Sequence, residues 1–158
     1  MFNQYFTLWW QIIKKHNGIV DKFIGDAVMA AFGLRNNHSP CDDAVASFIE
    51  MKAILPDLNN KLNILGLPEV KDFGVGIHFG EVVLGDIGSN ERKNYTVIGD
   101  TVNVASRLES ATKVFKISCI ISQETYLLLS PQYQSHFQLI GSTNLKGKSK
   151  TLKIFGFK

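Results

Sequence analysis

The chain has 158 residues, of which 45% are hydrophobic and 20% are charged, enough for one domain with its own core. Its formal net charge of +3 suits a polyanionic small ligand but falls far short of the basic charge of a nucleic-acid-binding domain. No apolar run approaches the roughly 18 residues that a membrane-spanning helix needs, and the N-terminus lacks a secretion-signal pattern. The sequence therefore indicates a cytoplasmic domain, which a longer, membrane-attached parent could still contain.

The first part of the chain predicts a helix followed by a hairpin. Apolar residues recur at three- and four-residue steps, which predicts an amphipathic helix over residues 2–16. Two short apolar runs, Ile19 to Ile24 and Ala27 to Phe32, flank Gly25 and Asp26 and predict a tight hairpin.

A second helix is predicted from Pro40, with Ser39 as its N-cap, and Pro56 predicts a kink or a break in it. A second hairpin is predicted from Val70 to Phe79 and from Val82 to Ile87, with its turn at Gly80 and Glu81. The remaining predicted elements are a helix over 101–114, a strand over 117–121, a short helix capped by Ser122, and two strands between 136 and 157.

Hairpins thus alternate with helices along the chain. This order predicts an α+β fold with a largely antiparallel sheet and helices packed on one face. No repeat or linker interrupts the sequence, so residues 1–158 are predicted to form a single domain. The two cysteines, Cys41 and Cys119, are far apart and have no ligand partners at metal spacing, which predicts free thiols.

Asp26 follows a glycine at the predicted hairpin turn, where its carboxylate can reach a hard cation such as magnesium. The alternative is that Gly-Asp is only a favourable turn pair. Asn103 and Arg107 lie four residues apart on a predicted helix and so share one face, which suits the charge on a transferring phosphoryl group. The alternative there is an ordinary exposed helix face, with Arg107 near Glu109.

Two other readings of polar residues are weaker. The segment from Gly141 to Ser149 resembles a phosphate-binding P-loop, but five residues separate its glycines instead of four, and it lies between two predicted strands. The four histidines are scattered, and none is a compelling general base.

Taken together, the segments DKFIGDAVMAAFG, GIHFGEVVLGDIGS and NYTVIGDTVNVASRLES resemble the class III adenylate and guanylate cyclase catalytic domain in order and spacing. The resemblance implies a ferredoxin-like, palm-type sheet and conversion of a nucleoside triphosphate to a cyclic nucleotide and pyrophosphate in signalling. It also implies a Mg²⁺ or Mn²⁺ cofactor and a homodimer with active sites at its interface.

The resemblance implies a role for each of six side chains. Asp26 matches a metal-binding aspartate, Lys22 and Thr96 match the pair that reads the purine base, and Lys146 matches the lysine that contacts the terminal phosphates. Asn103 and Arg107 match the pair that supports the transition state. A lysine donor and a threonine acceptor complement the ring nitrogen and exocyclic amine of adenine, so ATP is favoured over GTP.

Members of this family usually begin with a strand that carries a further metal-binding aspartate. The present sequence opens in the helix that follows it, so a domain without its first strand is expected, with weak or no activity as this chain. Two alternatives remain at this point: a non-catalytic, cyclase-like module for nucleotide binding or dimerisation, and a generic ferredoxin-like ligand sensor.

Overall fold

A computed structural model describes residues 2–34, 39–70, 72–89, 92–144 and 151–158. The elements are α1 (Phe2–Lys15), β1 (Ile19–Ile24), β2 (Ala27–Ala31), α2 (Pro40–Ile64), β3 (Val75–Ile77), β4 (Val83–Ser89), β5 (Arg92–Ile98), α3 (Asp100–Phe115), β6 (Cys119–Ser122), α4 (Gln123–Leu128), α5 (Pro131–Gln134), β7 (Phe137–Asn144) and β8 (Thr151–Phe157). They group into two compact units, residues 1–73 (unit 1) and residues 74–158 (unit 2). The prediction that all 158 residues form a single domain stays a prediction.

Unit 1 contains α1, the β1–β2 hairpin and α2. The buried side chains of Trp9, Ile12 and Ile13 on α1 pack with Met51 of α2 in one apolar cluster. This packing explains the three- and four-residue spacing of apolar residues in the sequence. The prediction of an amphipathic helix followed by a hairpin is confirmed.

The second helix runs without a break from Pro40 to Ile64, with Pro56 inside it. A break at Pro56, one of the two predicted outcomes, therefore does not occur. Ser39 precedes the helix in an extended conformation, but its side chain makes no capping hydrogen bond among the described residues. Beyond the helix, the Leu67 N–H donates to the Leu62 carbonyl at 2.9 Å, which satisfies one carbonyl of the last turn.

Unit 2 is built on a four-stranded sheet with the strand order β3-β6-β8-β7. Strand β3 pairs in parallel with β6, whereas β6 with β8 and β7 with β8 are antiparallel. The strands β4 and β5 form a separate antiparallel hairpin. The predicted α+β class is confirmed, and the described pairings are largely antiparallel, with β3–β6 the exception among them.

The predicted hairpin of β3 with β4 is wrong. Its two strands have different partners, since β3 pairs with β6 and β4 pairs with β5. The sequence reading also missed β5, because Arg92 to Asn94 are polar and do not alternate with apolar residues. Gly80 and Glu81 therefore join two separate sheets and do not form a hairpin turn.

Helix α3 contributes the buried side chains of Val104 and Leu108 to the core of unit 2, where they meet Ile120, Leu152 and Ile154. The backbone of α3 lies close to β3 at Gly76, where a Cβ atom would overlap backbone atoms of Ala105 and Glu109. A glycine at this position is what permits the close helix–sheet contact.

Three smaller predictions can also be compared with the structure. The Ser122 hydroxyl accepts a hydrogen bond from the Thr125 N–H at 3.2 Å, as predicted for the cap of α4. Cys41 and Cys119 are buried free thiols. In the part of the chain that the structure describes, no helix is long and apolar enough to cross a membrane.

Candidate functional site

Two of the candidate residues, Lys22 and Asp26, lie on the β1–β2 hairpin of unit 1. Ile24 pairs with Ala27, so Gly25 and Asp26 form a two-residue turn. Gly25 adopts a positive φ of 62°, a conformation that glycine accepts without strain. This turn leaves Asp26 exposed at the tip of the hairpin.

The hairpin contains a β-bulge at Asp21, which the sequence reading did not anticipate. Val20 pairs with Ala30 and Lys22 pairs with Met29, so the strand register shifts by one residue between them. Ala30 and Met29 are consecutive and point to opposite faces, and therefore Val20 and Lys22 also point to opposite faces.

The bulge determines where Lys22 points. In a regular strand, Lys22 would share a face with Val20, which packs against the apolar cluster of unit 1. With the extra residue, Phe23 lies on the same face as Val20 and contacts Phe6, with 4.5 Å between ring centroids, while remaining 45% exposed. Lys22 turns outward, and its side chain is 44% exposed. The signal in the sequence is the run Val20-Asp21-Lys22-Phe23, where two charged residues interrupt the apolar alternation.

The charge of Asp26 affects the pKa of Tyr5 on α1. Burial raises the pKa of the Tyr5 hydroxyl and the Asp26 carboxylate raises it further, whereas a hydrogen bond with Trp9 lowers it. The ordinary pKa of tyrosine, about 10, already leaves Tyr5 uncharged at neutral pH, and the upward shift keeps it so. An electroneutral phenol beside Asp26 leaves the carboxylate as the charge that a cation would meet.

The tip of the hairpin offers one carboxylate, that of Asp26, which is the kind of oxygen ligand that Mg²⁺ uses when the substrate supplies its other ligands. Within the described residues, no group of three or more His, Cys, Asp and Glu side chains could hold a metal ion. Mg²⁺ commonly uses one or two protein carboxylates and takes its other ligands from substrate phosphates and water. An exposed carboxylate at an open turn, as at Asp26, fits a metal shared with a nucleotide.

Asn103 and Arg107 lie on α3 of unit 2, where both are exposed and share a face. The adjoining face, about 100° round the helix, carries Val104 and Leu108, which are 2% and 1% exposed. The apolar face therefore fixes the rotation of the helix about its axis. As a result, the amide and the guanidinium are both presented to solvent.

A hydrogen bond also joins the first turn of α3 to the loop that precedes β4. The Thr101 hydroxyl donates to the Glu81 carbonyl at 2.6 Å, and Gly80 allows the Thr101 side chain to approach closely. Thr101 lies two residues before Asn103. This contact therefore restrains the end of the helix that carries the amide.

Thr96 lies on β5 of unit 2, where it pairs with Gly85 of β4. It is 6% exposed. Lys146 lies outside the described residues. The structure thus gives Lys22 and Asp26 one hairpin, and it gives Thr96, Asn103 and Arg107 neighbouring elements of unit 2.

The described histidines have structural partners. His16 donates to the Glu50 carboxylate at 2.7 Å, and Lys15 donates to the same carboxylate at 2.9 Å. His78 shares a hydrogen bond of 2.8 Å with the Ser122 hydroxyl, and the His136 ring stacks on Phe157. The expectation that no histidine acts as a general base stays a prediction, and His38 lies outside the described residues.

Comparison with known proteins identifies the family to which the chain belongs. The model of the adenylate and guanylate cyclase catalytic domain matches residues 1–157. The chain belongs to this family. It is a nucleotide cyclase catalytic domain of class III, and such domains are lyases that generally use divalent metals.

Among its curated relatives are bacterial adenylate cyclases. The adenylate cyclase of Anabaena cylindrica is 36% identical over 161 residues, which cover 99% of this chain and 31% of that protein. Adenylate cyclase 1 of Rhizobium meliloti is 33% identical over 160 residues, which cover 98% of this chain and 23% of that protein. The cyclase domain therefore spans no more than a third of the length of either relative.

Solved structures of both nucleotide specificities resemble the fold. The adenylyl cyclase CyaB from P. aeruginosa has a TM-score of 0.80 at 32% identity, covering 99% of this chain and 80% of that chain. The guanylyl cyclase Cya2 has a TM-score of 0.81 at 31% identity, covering 98% of this chain and 77% of that chain. Overall similarity thus supports the cyclase fold without deciding between ATP and GTP.

Proposed function

We propose that this domain is an adenylate cyclase, which converts ATP to cyclic AMP and pyrophosphate. The observation that carries the proposal is the outward orientation of Lys22, which the bulge at Asp21 imposes on the hairpin. An ammonium group donates hydrogen bonds and cannot accept them. It therefore suits the ring-nitrogen acceptor of adenine and opposes the N–H that guanine presents at the same edge.

Thr96 is the proposed second contact to the base. Its hydroxyl can accept a hydrogen bond from the exocyclic amine of adenine. The low exposure of Thr96, 6%, suits a contact made inside a narrow base pocket rather than in open solvent. Two contacts of opposite polarity would together distinguish adenine from guanine.

The proposed catalytic groups are Asn103 and Arg107. As the ribose 3′ oxygen bonds to the α-phosphorus, the bond to the pyrophosphate oxygen breaks and the hydroxyl proton passes to solvent. Negative charge grows on the phosphoryl oxygens during this step, and an exposed guanidinium and amide on one helix face can stabilise it. Lys146 would hold the leaving phosphates.

Asp26 would hold Mg²⁺ or Mn²⁺ together with the substrate phosphates. When bound, the metal supplies charge neutralisation and lowers the pKa of a coordinated hydroxyl. The exposed position of Asp26 on the hairpin turn leaves the carboxylate accessible for this role.

We further propose that the active form is a homodimer with two equivalent sites at its interface. One copy would supply Asp26 to a given site, and the other copy would supply Lys22, Thr96, Asn103 and Arg107. This division accounts for two functional residues that lie four positions apart on one hairpin and serve different substrate molecules. A two-fold symmetric interface generates both sites at once.

The direct test is cyclic nucleotide production by the purified chain with ATP or GTP, in the presence of Mg²⁺ or Mn²⁺. Arg107→Ala should abolish most of the activity, whereas Lys113→Ala, which removes an exposed cation from the same helix, should not. Asp26→Asn should be inactive, and the exposed carboxylate variant Asp57→Asn should retain activity. ATP binding without production of either cyclic nucleotide, both by this chain and by a form extended with the upstream strand of the family, would refute the proposal and favour a non-catalytic module.

The shared site is tested by mixing two inactive variants, Lys22→Ala and Asp26→Ala. Random exchange makes half of the dimers mixed, and each mixed dimer contains one intact site out of two, so about a quarter of wild-type activity should return. Mixing two preparations of Lys22→Ala is the control. No recovery in the mixed sample, with subunit exchange verified, would contradict the shared arrangement.

A further inference from the structure

The residue before Lys22 is a carboxylate that contacts it. The Lys22 Nζ atom lies 3.3 Å from Oδ2 of Asp21. The two side chains differ in environment, since that of Asp21 is 5% exposed and that of Lys22 is 44% exposed. A nearly buried negative charge, that of Asp21, thus lies in contact with the exposed ammonium of Lys22.

The bulge makes this contact possible. Neighbouring residues of a regular strand point to opposite faces of the sheet and cannot pair. At the bulge, Asp21 and Lys22 together oppose the single residue Met29, which brings their side chains near each other. The same irregularity that turns Lys22 outward therefore also supplies its counter-charge.

The low exposure of the Asp21 side chain strengthens its attraction for the Lys22 ammonium. A nearly buried carboxylate is costly to leave without a compensating positive charge. The 3.3 Å ion pair with Asp21 restricts the rotamers of the flexible lysine side chain, which lowers the entropy lost when it binds a ligand. An ammonium has three N–H donors, so engagement of one leaves two for a substrate.

We propose that Asp21 is a positioning residue, which holds the Lys22 ammonium in the orientation that reads adenine. The inference rests on the proposed function of Lys22. Asp21 contacts the substrate only through Lys22, and its effect is therefore on base binding and nucleotide preference. Neutralising Asp21 releases Lys22 to other rotamers and weakens the contact to adenine.

The test compares Asp21→Asn, which keeps the side-chain volume, with Asp57→Asn as a matched control on the exposed face of α2. Asp21→Asn should raise the KM for ATP and the Kd for ATP by about fivefold, the range of a partly exposed ion pair. It should reduce the preference for ATP over GTP by a similar factor and change kcat less. Asp21→Glu should restore part of the loss, and Asp57→Asn should change none of these quantities.

Lys22→Met separates the inference from the proposed function. If Lys22→Met alters neither the Kd for ATP nor the nucleotide preference, then the role of Lys22 itself is wrong and the inference falls with it. If Lys22→Met alters both and Asp21→Asn alters neither, only the inference is overturned. Combining Asp21→Asn with Lys22→Met should add no further loss of preference, and an additional loss would show that Asp21 acts independently of Lys22.

Binding of ATP and of GTP is measured by calorimetry alongside turnover, so the comparison does not depend on catalysis. Thermal melting of each variant identifies loss of folding. Should Asp21→Asn fail to fold, Asp21→Ser provides the comparison, because it also removes the charge and keeps a small polar side chain. Unchanged binding and preference in a folded Asp21→Ser would then overturn the inference.

Discussion

Replacing Gly76 by alanine would place a methyl group between β3 and α3. The added carbon would overlap backbone atoms of Ala105 and Glu109 and would lie 2.9 Å from the Leu108 carbonyl carbon. None of these atoms can rotate away as a flexible side chain could. The helix itself must move, and it carries Asn103 and Arg107.

The size of the effect follows from the kind of contact. Overpacking of a close-packed interior costs typically 1–3 kcal/mol, and backbone overlap places Gly76→Ala near the upper end, at about 3 kcal/mol. For a chain of this size, that loss lowers Tm by about 6–12 °C. A displacement of α3 by about 1 Å would also reduce cyclase turnover by about 100-fold, since catalytic groups tolerate little misplacement.

Thermal melting and cyclic AMP production measure the two effects. Gly85→Ala is the matched control for stability, because a Cβ atom at Gly85 meets nothing within 4 Å. It should leave Tm unchanged within about 2 °C. An unchanged Tm in Gly76→Ala would refute the argument that the close approach of α3 requires glycine.

Three further predictions concern packing and charge. Leu108→Ala, at a side chain 1% exposed in the core of unit 2, should lower the free energy of unfolding by about 2–5 kcal/mol in urea titration. Hydrogen bonds from Lys15 and then His16 lower the pKa of Glu50, so this carboxylate stabilises the fold above its unfolded pKa of about 4.3. That contribution is lost as the pH falls through the lower folded pKa, and Glu50→Gln should flatten the acid limb of the stability profile; an unchanged limb would contradict the pairing. Burial, with a smaller effect from Asp42, raises the pKa of Cys41 to about 11, so its thiol should resist a thiol reagent at pH 8 until the protein is denatured.

Several elements could be predicted because their signals are local. The apolar spacing of α1 reports the face that packs on α2, and Gly25-Asp26 between two short apolar runs predicts the β1–β2 turn. The Ser122 cap likewise depends on atoms only three residues apart. The same holds for Asn103 and Arg107, since helical periodicity alone places them on one face.

Strand partners could not be predicted in the same way. Strand β3 pairs with β6, which begins more than 40 residues later, and nothing within Val75–Ile77 specifies that partner. Gly76 resembles a turn or strand-weakening residue in sequence, whereas its role is to admit the α3 backbone. Pairing energy comes from contacts with distant residues, so local patterns favoured the nearest strand.

For the candidate site, the sequence by itself supplied the residue types and the family resemblance, because donor and acceptor chemistry belongs to each side chain. Only the tertiary structure decided the orientation of Lys22. One extra residue at Asp21 reverses the face of the strand on which Lys22 lies, and that register depends on how β1 pairs with β2. The Asp21–Lys22 contact follows from the same hairpin register, whereas the rotation of α3 is fixed by packing against Leu152 and Ile154, which lie more than 40 residues after Leu108 in the chain.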